Sequence, residues 1–483
     1  MLFNSLQFLI FLPIVYVLYW FVFKKNLKYQ NILVIVASYI FYGWWDWRFL
    51  FLIAFSTLVD FYVGQRIYKH IDNKQKAKHW LWVSLFFNIG LLGFFKYYNF
   101  FIDSFIDSFS AFGYEIKSTW TLRIILPIGI SFYTFQTMSY SFDIYYKKLK
   151  PTRNFVSFAA FVAFFPQLVA GPIERASNLL NQINTKRVFK YDQASSGLKL
   201  ILWGFFKKLV IADSLAPMVD DIFANYASYP ASTLILGVCL FSFQVYGDFS
   251  GYTDIAIGTA KLFGIELMSN FKFPNFSRNI AEYWQRWHVS LSTWFRHYLY
   301  IPLGGSRVSK LKSIRNIIII FLVSGLWHGA NWTFVFWGAI HAALYIPVFL
   351  MGRNRLYANN VIAENSWPSV KEVLQVVLTF ILVTFSRIFF RSPSINDAFN
   401  YISQIVNNFT YQAYVHPMGY RMLDFYVLIA LFTFYEYLIR KDERHPFKFK
   451  SPIVRLLIYA LIIISILLFY DDGVNRSFIY FQF

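Results

Sequence analysis

The sequence predicts an all-α polytopic membrane protein with about 11–13 transmembrane or re-entrant helices. Hydrophobic residues make up 57% of the 483 positions and charged residues only 14%, whereas soluble domains carry about 25% charged residues. The apolar residues also form long runs without a polar face, as in 6–23, 317–327 and 456–469, and such helices lie in lipid or in a large core. Aromatic residues, which are included in that 57%, make up 22% of the chain. This content also indicates a membrane, because tryptophan and tyrosine favour membrane interfaces.

A membrane span requires about 20 apolar residues, or somewhat fewer when aromatic belts flank it. The first apolar run has no basic leader and no small-residue cleavage site, so we expect a retained span rather than a signal peptide. We find no internal repeat and no linker that would separate a soluble domain, which predicts one transmembrane domain over 1–483. The candidate spans lie near 6–23, 31–45, 49–66, 80–98, 123–146, 155–170, 195–218, 232–248, 314–332, 333–350, 371–390, 424–439 and 453–470.

Charge alternates between successive loops of the first half. The loops 24–28, 66–78 and 147–153 are rich in lysine and arginine, whereas the loop 103–117 is mainly acidic. By the positive-inside rule the basic loops face the cytoplasm and the N-terminus faces outward. The net charge of +20 is therefore explained by topology signals and contacts with anionic lipids, and we expect no nucleic-acid partner.

One histidine falls deep inside a predicted span. The stretch 307–315 is basic and should be cytoplasmic, the apolar run begins at Ile317, and His328 follows eleven residues later. At 1.5 Å per residue this places His328 about 16 Å into a hydrocarbon core of roughly 30 Å. An imidazole at that depth indicates a functional site; the alternative is a core histidine that is hydrogen-bonded between helices.

The neighbours of His328 support the functional interpretation. Ser324 lies one turn before it, and Asn331 is expected on the following turn of the same helix. We predict that Ser324, Asn331 and the adjacent Trp327 contact substrate. Gly325 and Gly329 form a small-xxx-small pair that would allow another helix or a ligand to approach closely.

A second histidine lies in a segment with helical periodicity. Over 284–298 the aromatic residues fall on one face and polar residues on the other, which predicts one amphipathic helix. His288 lies at the border of the aromatic face, flanked by Gln285, and both are candidates for the site. The alternative is an interfacial anchor, which is a common role of such helices.

Charges interrupt two further apolar stretches. Lys207 and Lys208 interrupt one, and Gly247 with Asp248 is expected to break another. Charge or broken backbone at membrane depth is tolerated where it is buried in protein or lines a watery cavity. Asp248 is therefore a candidate substrate contact, although an architectural role fits the segment 246–254 equally well.

The sequence lacks the motifs of several other classes of protein. The chain contains no P-loop, no Gly-x-Ser-x-Gly elbow, no HExxH motif and no dinucleotide fingerprint, which disfavours pumps and soluble-type hydrolases. The single Cys239 excludes an intrachain disulfide and a multi-cysteine metal site. We expect no metal and no tightly bound cofactor.

Four ordered motifs together resemble the membrane-bound O-acyltransferase family, in its bacterial alginate O-acetyltransferase-like branch. The resemblance extends over nearly the whole chain. It is most specific in the segments 165–175, 246–254, 270–305 and 323–341, the last beginning Val-Ser-Gly-Leu-Trp-His-Gly-Ala-Asn-Trp. The chain departs from the common pattern at His297, where an acidic residue is usual, and at Arg387, where a tryptophan is usual.

The resemblance implies helices around a central tunnel in a bacterial inner membrane. It also implies catalytic roles for His328 and His288, acetyl-CoA or another acyl thioester as donor, and a polysaccharide acceptor outside, reached directly or through an extracytoplasmic partner protein. We predict that His328 acts as general base on the acceptor hydroxyl, while His288 orients a substrate or binds the developing oxyanion. The alternatives are a teichoic acid D-alanyl transferase fed by a carrier protein and a non-catalytic polysaccharide or lipid exporter.

Overall fold

The computed structural model describes residues 1–114, 121–358, 360–363, 367–419, 421–470 and 476–479. Over these residues the chain is helical and has no β-strand. Eight helical segments are long and apolar enough to cross a membrane, which confirms the all-α polytopic class. The central tunnel and the N-terminus-outward orientation stay predictions. The predicted acidic loop 103–117 is helical up to Ala111, and its residues 115–117 lie outside the described residues. The eight segments are Leu27–Lys69, Lys74–Ala111, Ala231–Leu262, Lys310–His328, Trp332–Leu350, Val370–Arg391, Met422–Ile439 and Pro452–Phe469.

The contacts divide the chain into two compact units, and the single domain over 1–483 stays a prediction. Unit 1 comprises Met1–Ala194 and Thr259–Met268. Its helices are α1 (Leu6–Val17), α2 (Leu27–Asp46), α3 (Leu50–Lys69), α4 (Lys74–Leu92), α5 (Tyr98–Ala111), α6 (Ile130–Tyr145), α7 (Phe155–Val162), α8 (Phe165–Leu168) and α9 (Ala176–Asn184). The predicted span near 123–146 is helical only from Ile130, and the one near 155–170 is two short helices.

A buried carboxylate joins three helices of unit 1. Asp60 on α3 is fully buried and accepts hydrogen bonds from Ser84 Oγ (2.6 Å) and Asn88 Nδ2 (2.9 Å) of α4. Thr137 of α6 donates to Asn88 Oδ1 at 2.9 Å. A polar group buried among apolar helices stabilises a fold only if it is hydrogen-bonded in this way, so the cluster fixes the register of α3, α4 and α6.

Unit 2 comprises Ser195–Gly258 and Ser269–Phe483 and contains every residue of the predicted site. Glycines let its first helices pack closely, since a Cβ at Gly251 would lie 2.8 Å from the Gly204 carbonyl oxygen. The helices that lie wholly or mostly in unit 2 are α10 (Tyr191–Phe205), α11 (Ser214–Ala224), α12 (Ala231–Leu262), α13 (Ile280–Arg286), α14 (Val289–Phe295), α15 (Lys310–His328), α16 (Trp332–Leu350), α17 (Val370–Arg391), α18 (Ile395–Asn407), α19 (Met422–Ile439) and α20 (Pro452–Phe469).

The predicted break at Gly247 and Asp248 was wrong, because α12 continues through both residues to Leu262. The charge is tolerated since Asp248 pairs with Lys208 at 2.6 Å. Lys208 and Lys207 lie on a π-helical turn between α10 and α11, and Lys207 pairs with Asp254 at 2.6 Å. The lysines that interrupt one apolar stretch are therefore neutralised inside the protein by aspartates of the other stretch.

Helices α15 and α16 form a tight antiparallel hairpin. α15 ends at His328, and Asn331 begins α16 by accepting a hydrogen bond from the Thr333 N–H at 2.9 Å. The prediction that Asn331 continues the helix of His328 was therefore wrong; the N-cap hydrogen bond ends one helix and starts the next. The close approach expected at Gly325 is confirmed, because a Cβ there would collide with the backbone of Phe334.

Candidate active site

The segment around His288 is two helices rather than the predicted single amphipathic helix. α13 ends at Arg286, α14 begins at Val289, and His288 between them has φ +43°. Left-handed backbone is unfavourable for a residue with a Cβ and persists only where surrounding contacts enforce it. Asn270 supplies them, because its carbonyl accepts from Val289 N at 2.9 Å and its side-chain oxygen from Ser290 N at 3.4 Å.

This break carries His288 to the end of α15. The ring centroids of His288 and His328 lie 6.3 Å apart, and the side chains are 0% and 2% exposed. Trp327 contacts both rings, with its centroid 5.5 Å from His288 and 5.0 Å from His328. Burial lowers the pKa of His288 to about 3, so this imidazole is neutral at physiological pH. The two predicted catalytic residues and Trp327 therefore form one cluster.

His328 opens onto a narrow cavity inside unit 2. The volume of this cavity is about 10 Å³, which is about the space of one water molecule. The ring of His328 contacts Trp337 and Phe390 edge-on, at centroid distances of 5.1 and 5.4 Å. We call this space the His328 cavity; its lining residues are Val245, Tyr283, Trp287, His328, Trp337, His341, Val383, Arg387 and Phe390.

His341 is the second histidine that lines the His328 cavity. Trp284 Nε1 donates to its Nδ1 at 3.2 Å, and its Nε2 lies 3.0 Å from Ser386 Oγ. Ser386 in turn donates to the Val383 carbonyl at 2.7 Å. With Nδ1 accepting, the neutral ring donates from Nε2, so both nitrogens are occupied. His341 is thereby suited to holding α13, α16 and α17 in place rather than to proton transfer.

The other predicted substrate contacts are Ser324, Gln285, Asn331 and Asp248. Ser324 is buried one turn before His328 on α15. Gln285 donates to the Asn354 carbonyl at 2.9 Å, and Asn331 donates to the Pro393 carbonyl at 2.9 Å. Asp248 accepts from Lys208 and from the Ile479 N–H at 2.7 Å. None of these four lines the His328 cavity, and their roles in substrate binding stay predictions.

The two residues that depart from the family pattern, Arg387 and His297, lie in different environments. Arg387 lines the His328 cavity, and its Nη2 donates to Tyr283 Oη at 3.2 Å. His297 is half-buried on the π-helical turn after α14, and its Nδ1 lies 2.8 Å from the Thr293 carbonyl.

Over the described part of the chain, no three His, Cys, Asp or Glu side chains are placed to hold a metal ion; the expected absence of a metal stays a prediction.

A multi-pass helical membrane protein with two buried histidines 6.3 Å apart fits the class of membrane acyltransferases. The model of the membrane-bound O-acyltransferase family matches residues 77–391, and the chain belongs to this family. It is an acyltransferase.

Relatives with named activities agree with this membership. The chain is 40% identical to the "Probable alginate O-acetylase AlgI" of Azotobacter vinelandii, over 82% of this chain and 76% of that protein. It is 34% identical to the peptidoglycan O-acetyltransferase of Helicobacter pylori, over 84% and 80% of the two chains. The teichoic acid D-alanyltransferase of Bacillus subtilis is 29% identical over 54% of this chain and 68% of its own.

The two histidines near the break in the 284–298 segment should respond differently to substitution. We expect His288→Ala to lower the rate of acyl transfer at least about tenfold, because an oriented hydrogen-bonding group at a reacting centre is worth that much or more. His297→Ala should change the rate less than about twofold, since the Nδ1 of His297 lies 2.8 Å from the Thr293 carbonyl of its own helical turn. Initial rates with matched amounts of folded protein would measure both. Equal, mild effects would contradict a role of His288 in the site.

Proposed function

We propose that this protein is an O-acetyltransferase that carries acetyl groups across a bacterial cytoplasmic membrane. The donor is acetyl-CoA on the cytoplasmic side, and the acceptor is a hydroxyl of an extracytoplasmic polysaccharide, reached directly or through a partner protein. The observation that carries the proposal is the pairing of two buried histidines, His328 and His288, at a ring separation of 6.3 Å, with His328 lining a cavity.

The charge of the chain supports a cytoplasmic donor. α15, which ends at His328, begins at Lys310 inside the basic stretch 307–315. Such stretches remain in the cytoplasm, where acyl thioesters of CoA are made. The 19 residues of α15 span about 28 Å at 1.5 Å per residue, so the helix joins that side to the reactive histidine. The same rule places the N-terminus outward.

A second cavity of unit 2 supports an acceptor path. It has a volume of about 510 Å³, within the range of small-molecule sites, and Asn331, Asp220, Asp397 and Arg391 give it a polar lining suited to sugar hydroxyls. Phe390 lines this space and the His328 cavity alike. We infer that displacement of Phe390 connects them when an acceptor enters.

The reaction follows from the chemistry of a thioester and an alcohol. His328 accepts the proton of the acceptor hydroxyl while the hydroxyl oxygen bonds to the carbonyl carbon, and the carbonyl electron pair moves onto oxygen. When this tetrahedral intermediate collapses, the carbon–sulfur bond breaks and the proton passes from His328 to the thiolate. The products are the acetyl ester and the free thiol. His288 orients the reacting groups, and Trp327 fixes the two imidazoles relative to each other.

The relatives support acetyl transfer over D-alanyl transfer. The two named for O-acetylation match more than four fifths of this chain, whereas the D-alanyltransferase matches 54% at lower identity. The exporter alternative does not account for membership of an acyltransferase family.

The sidedness of the reaction is testable with oriented membrane vesicles. Acetyl-CoA labelled in the acetyl group and supplied outside should give labelled polysaccharide with inverted vesicles that enclose the acceptor. Right-side-out vesicles should give none until the donor is loaded inside. The measurement is label in purified polysaccharide, with membranes lacking the protein as the control. Equal labelling in both orientations would contradict the cytoplasmic donor.

A further inference from the structure

Two N–H groups in the wall of the His328 cavity have no part in the mechanism described above. Trp337 is 5% exposed and Arg387 is 4% exposed. Over the residues that the structure describes, Trp337 Nε1 and Arg387 Nη1 are buried and have no hydrogen-bond acceptor. Buried donors are almost always satisfied, and each exception calls for an explanation. Two exceptions on one small cavity, beside the proposed general base, point to a ligand atom that they share.

Arg387 also lacks a counter-ion within the described part of the chain. Its guanidinium donates to the neutral hydroxyl of Tyr283 and lies 5.1 Å from the ring centroid of Trp287. A buried charge is ordinarily paired with an opposite charge. One turn later on the same helix, Arg391 has such a pair, with Asp220 at 2.8 Å. Arg387 is therefore the cation of α17 that is available to an anion in the cavity.

The size of the cavity restricts that anion. A space of about 10 Å³ holds about one water-sized group, which is the size of a single carbonyl oxygen. An anion that develops on a bound acyl group fits the space. The Trp337 ring lies edge-on to His328 at 5.1 Å, so its N–H belongs to the same reacting region as the base.

We propose that Arg387 and Trp337 form the oxyanion hole of the acyl transfer. The inference rests on the proposed function and adds the residues that stabilise its intermediate. When the acceptor oxygen bonds to the thioester carbon, the carbonyl oxygen gains the electron pair and a negative charge. Arg387 Nη1 and Trp337 Nε1 donate to this oxygen, and the donation ends when the carbonyl re-forms with loss of the thiolate. Donors fixed in a dry site stabilise such charge strongly.

Single substitutions separate this role from packing. Trp337→Phe keeps a large aromatic ring and removes the indole N–H, whereas Arg387→Met keeps an unbranched chain and removes the cation. Loss of one oxyanion-hole donor costs about 10²–10³ in kcat, so we expect each variant to fall by about that factor. KM for acetyl-CoA should change less than about threefold, because the interaction exists only in the transition state. The measurement is steady-state acetyl transfer in vesicles.

Matched substitutions in unit 1 control for the loss of a buried residue of each type. Arg187, 7% exposed, lies 5.4 Å from the Tyr19 ring centroid, and Trp20 Nε1 donates to the Leu262 carbonyl. Arg187→Met and Trp20→Phe should keep the wild-type kcat per folded molecule. In Arg387→Ala, added guanidinium should restore at least about tenfold of the lost rate by occupying the vacated space, which a packing role does not predict.

Each outcome decides between the two proposals. If wild type transfers acetyl groups and either Arg387→Met or Trp337→Phe keeps its kcat, the oxyanion hole is overturned and the proposed function stands. A rise of KM with unchanged kcat would assign the residues to ground-state binding and also overturn it. If wild type transfers no acetyl group from acetyl-CoA, the proposed function fails first, and this inference fails with it.

Discussion

His328→Ala should abolish acyl transfer while folded protein persists in the membrane. A positioned general base contributes about 10²–10⁴-fold to a rate, and we expect a loss in this range. The substitution leaves a small gap between the rings of Trp337 and Phe390, which the hairpin of α15 and α16 should tolerate. Labelled acetyl transfer per folded protein, quantified by size-exclusion chromatography in detergent, measures the effect.

A matched histidine outside the cavity provides the control. His416 is 4% exposed, and its Nδ1 accepts from the Met418 N–H at 3.1 Å. His416→Ala should transfer acetyl groups at the wild-type rate per folded molecule. Normal turnover by well-folded His328→Ala would remove His328 from the mechanism, whichever donor is used.

Asp248→Ala should give the largest loss of stability among single substitutions in unit 2. Asp248 neutralises Lys208, whose side chain is 1% exposed, and it also accepts from the Ile479 N–H. Breaking a buried ion pair costs about 3–5 kcal/mol because one charge remains uncompensated. Lys208 keeps a second partner in Asp213 at 2.8 Å, so we expect about 3 kcal/mol, the lower end. Thermal unfolding of purified protein in detergent would show the lower Tm.

Two comparisons identify the cause of that loss. Asp424, which forms an exposed pair with Arg421, should be replaceable by alanine without a change in Tm, because exposed pairs contribute little. The double substitution Lys208→Met with Asp248→Leu should recover part of the stability, since apolar residues replace a buried pair at little cost. A wild-type Tm in Asp248→Ala would show that the pair does not stabilise unit 2.

The sequence determined the class of the protein and its central residue. Length and apolarity of the helical runs are local properties, and they required a membrane because no other environment accepts so many helices without a polar face. The same local arithmetic singled out His328, which directly follows the 317–327 run, and its neighbours. Gly325 and Gly329 indicated a close helix contact, and α16 makes it at Gly325.

Only the tertiary structure decided how the site is assembled. Helical periodicity continues through 284–298, yet the helix is broken between Arg286 and Val289, where Asn270 accepts hydrogen bonds from the N–H groups of Val289 and Ser290. The break expected at Gly247 is absent because Lys208 neutralises Asp248 from another helix. Periodicity along the chain does not record such contacts between distant residues, and these decide where a helix stops or continues.

The His328 cavity shows most clearly that sequence patterns do not record contacts between distant residues. Its walls come from α12, α13, α15, α16 and α17, so residues as far apart as Val245 and Arg387 meet there. In the sequence Arg387 is a single charge near the end of an apolar run, and Trp337 is one aromatic residue among many. Their importance depends on burial and on the acceptors that each N–H lacks. Composition and spacing determined which histidine to consider, whereas three-dimensional packing decided what surrounds it, because hydrogen-bond satisfaction is a property of the assembled core.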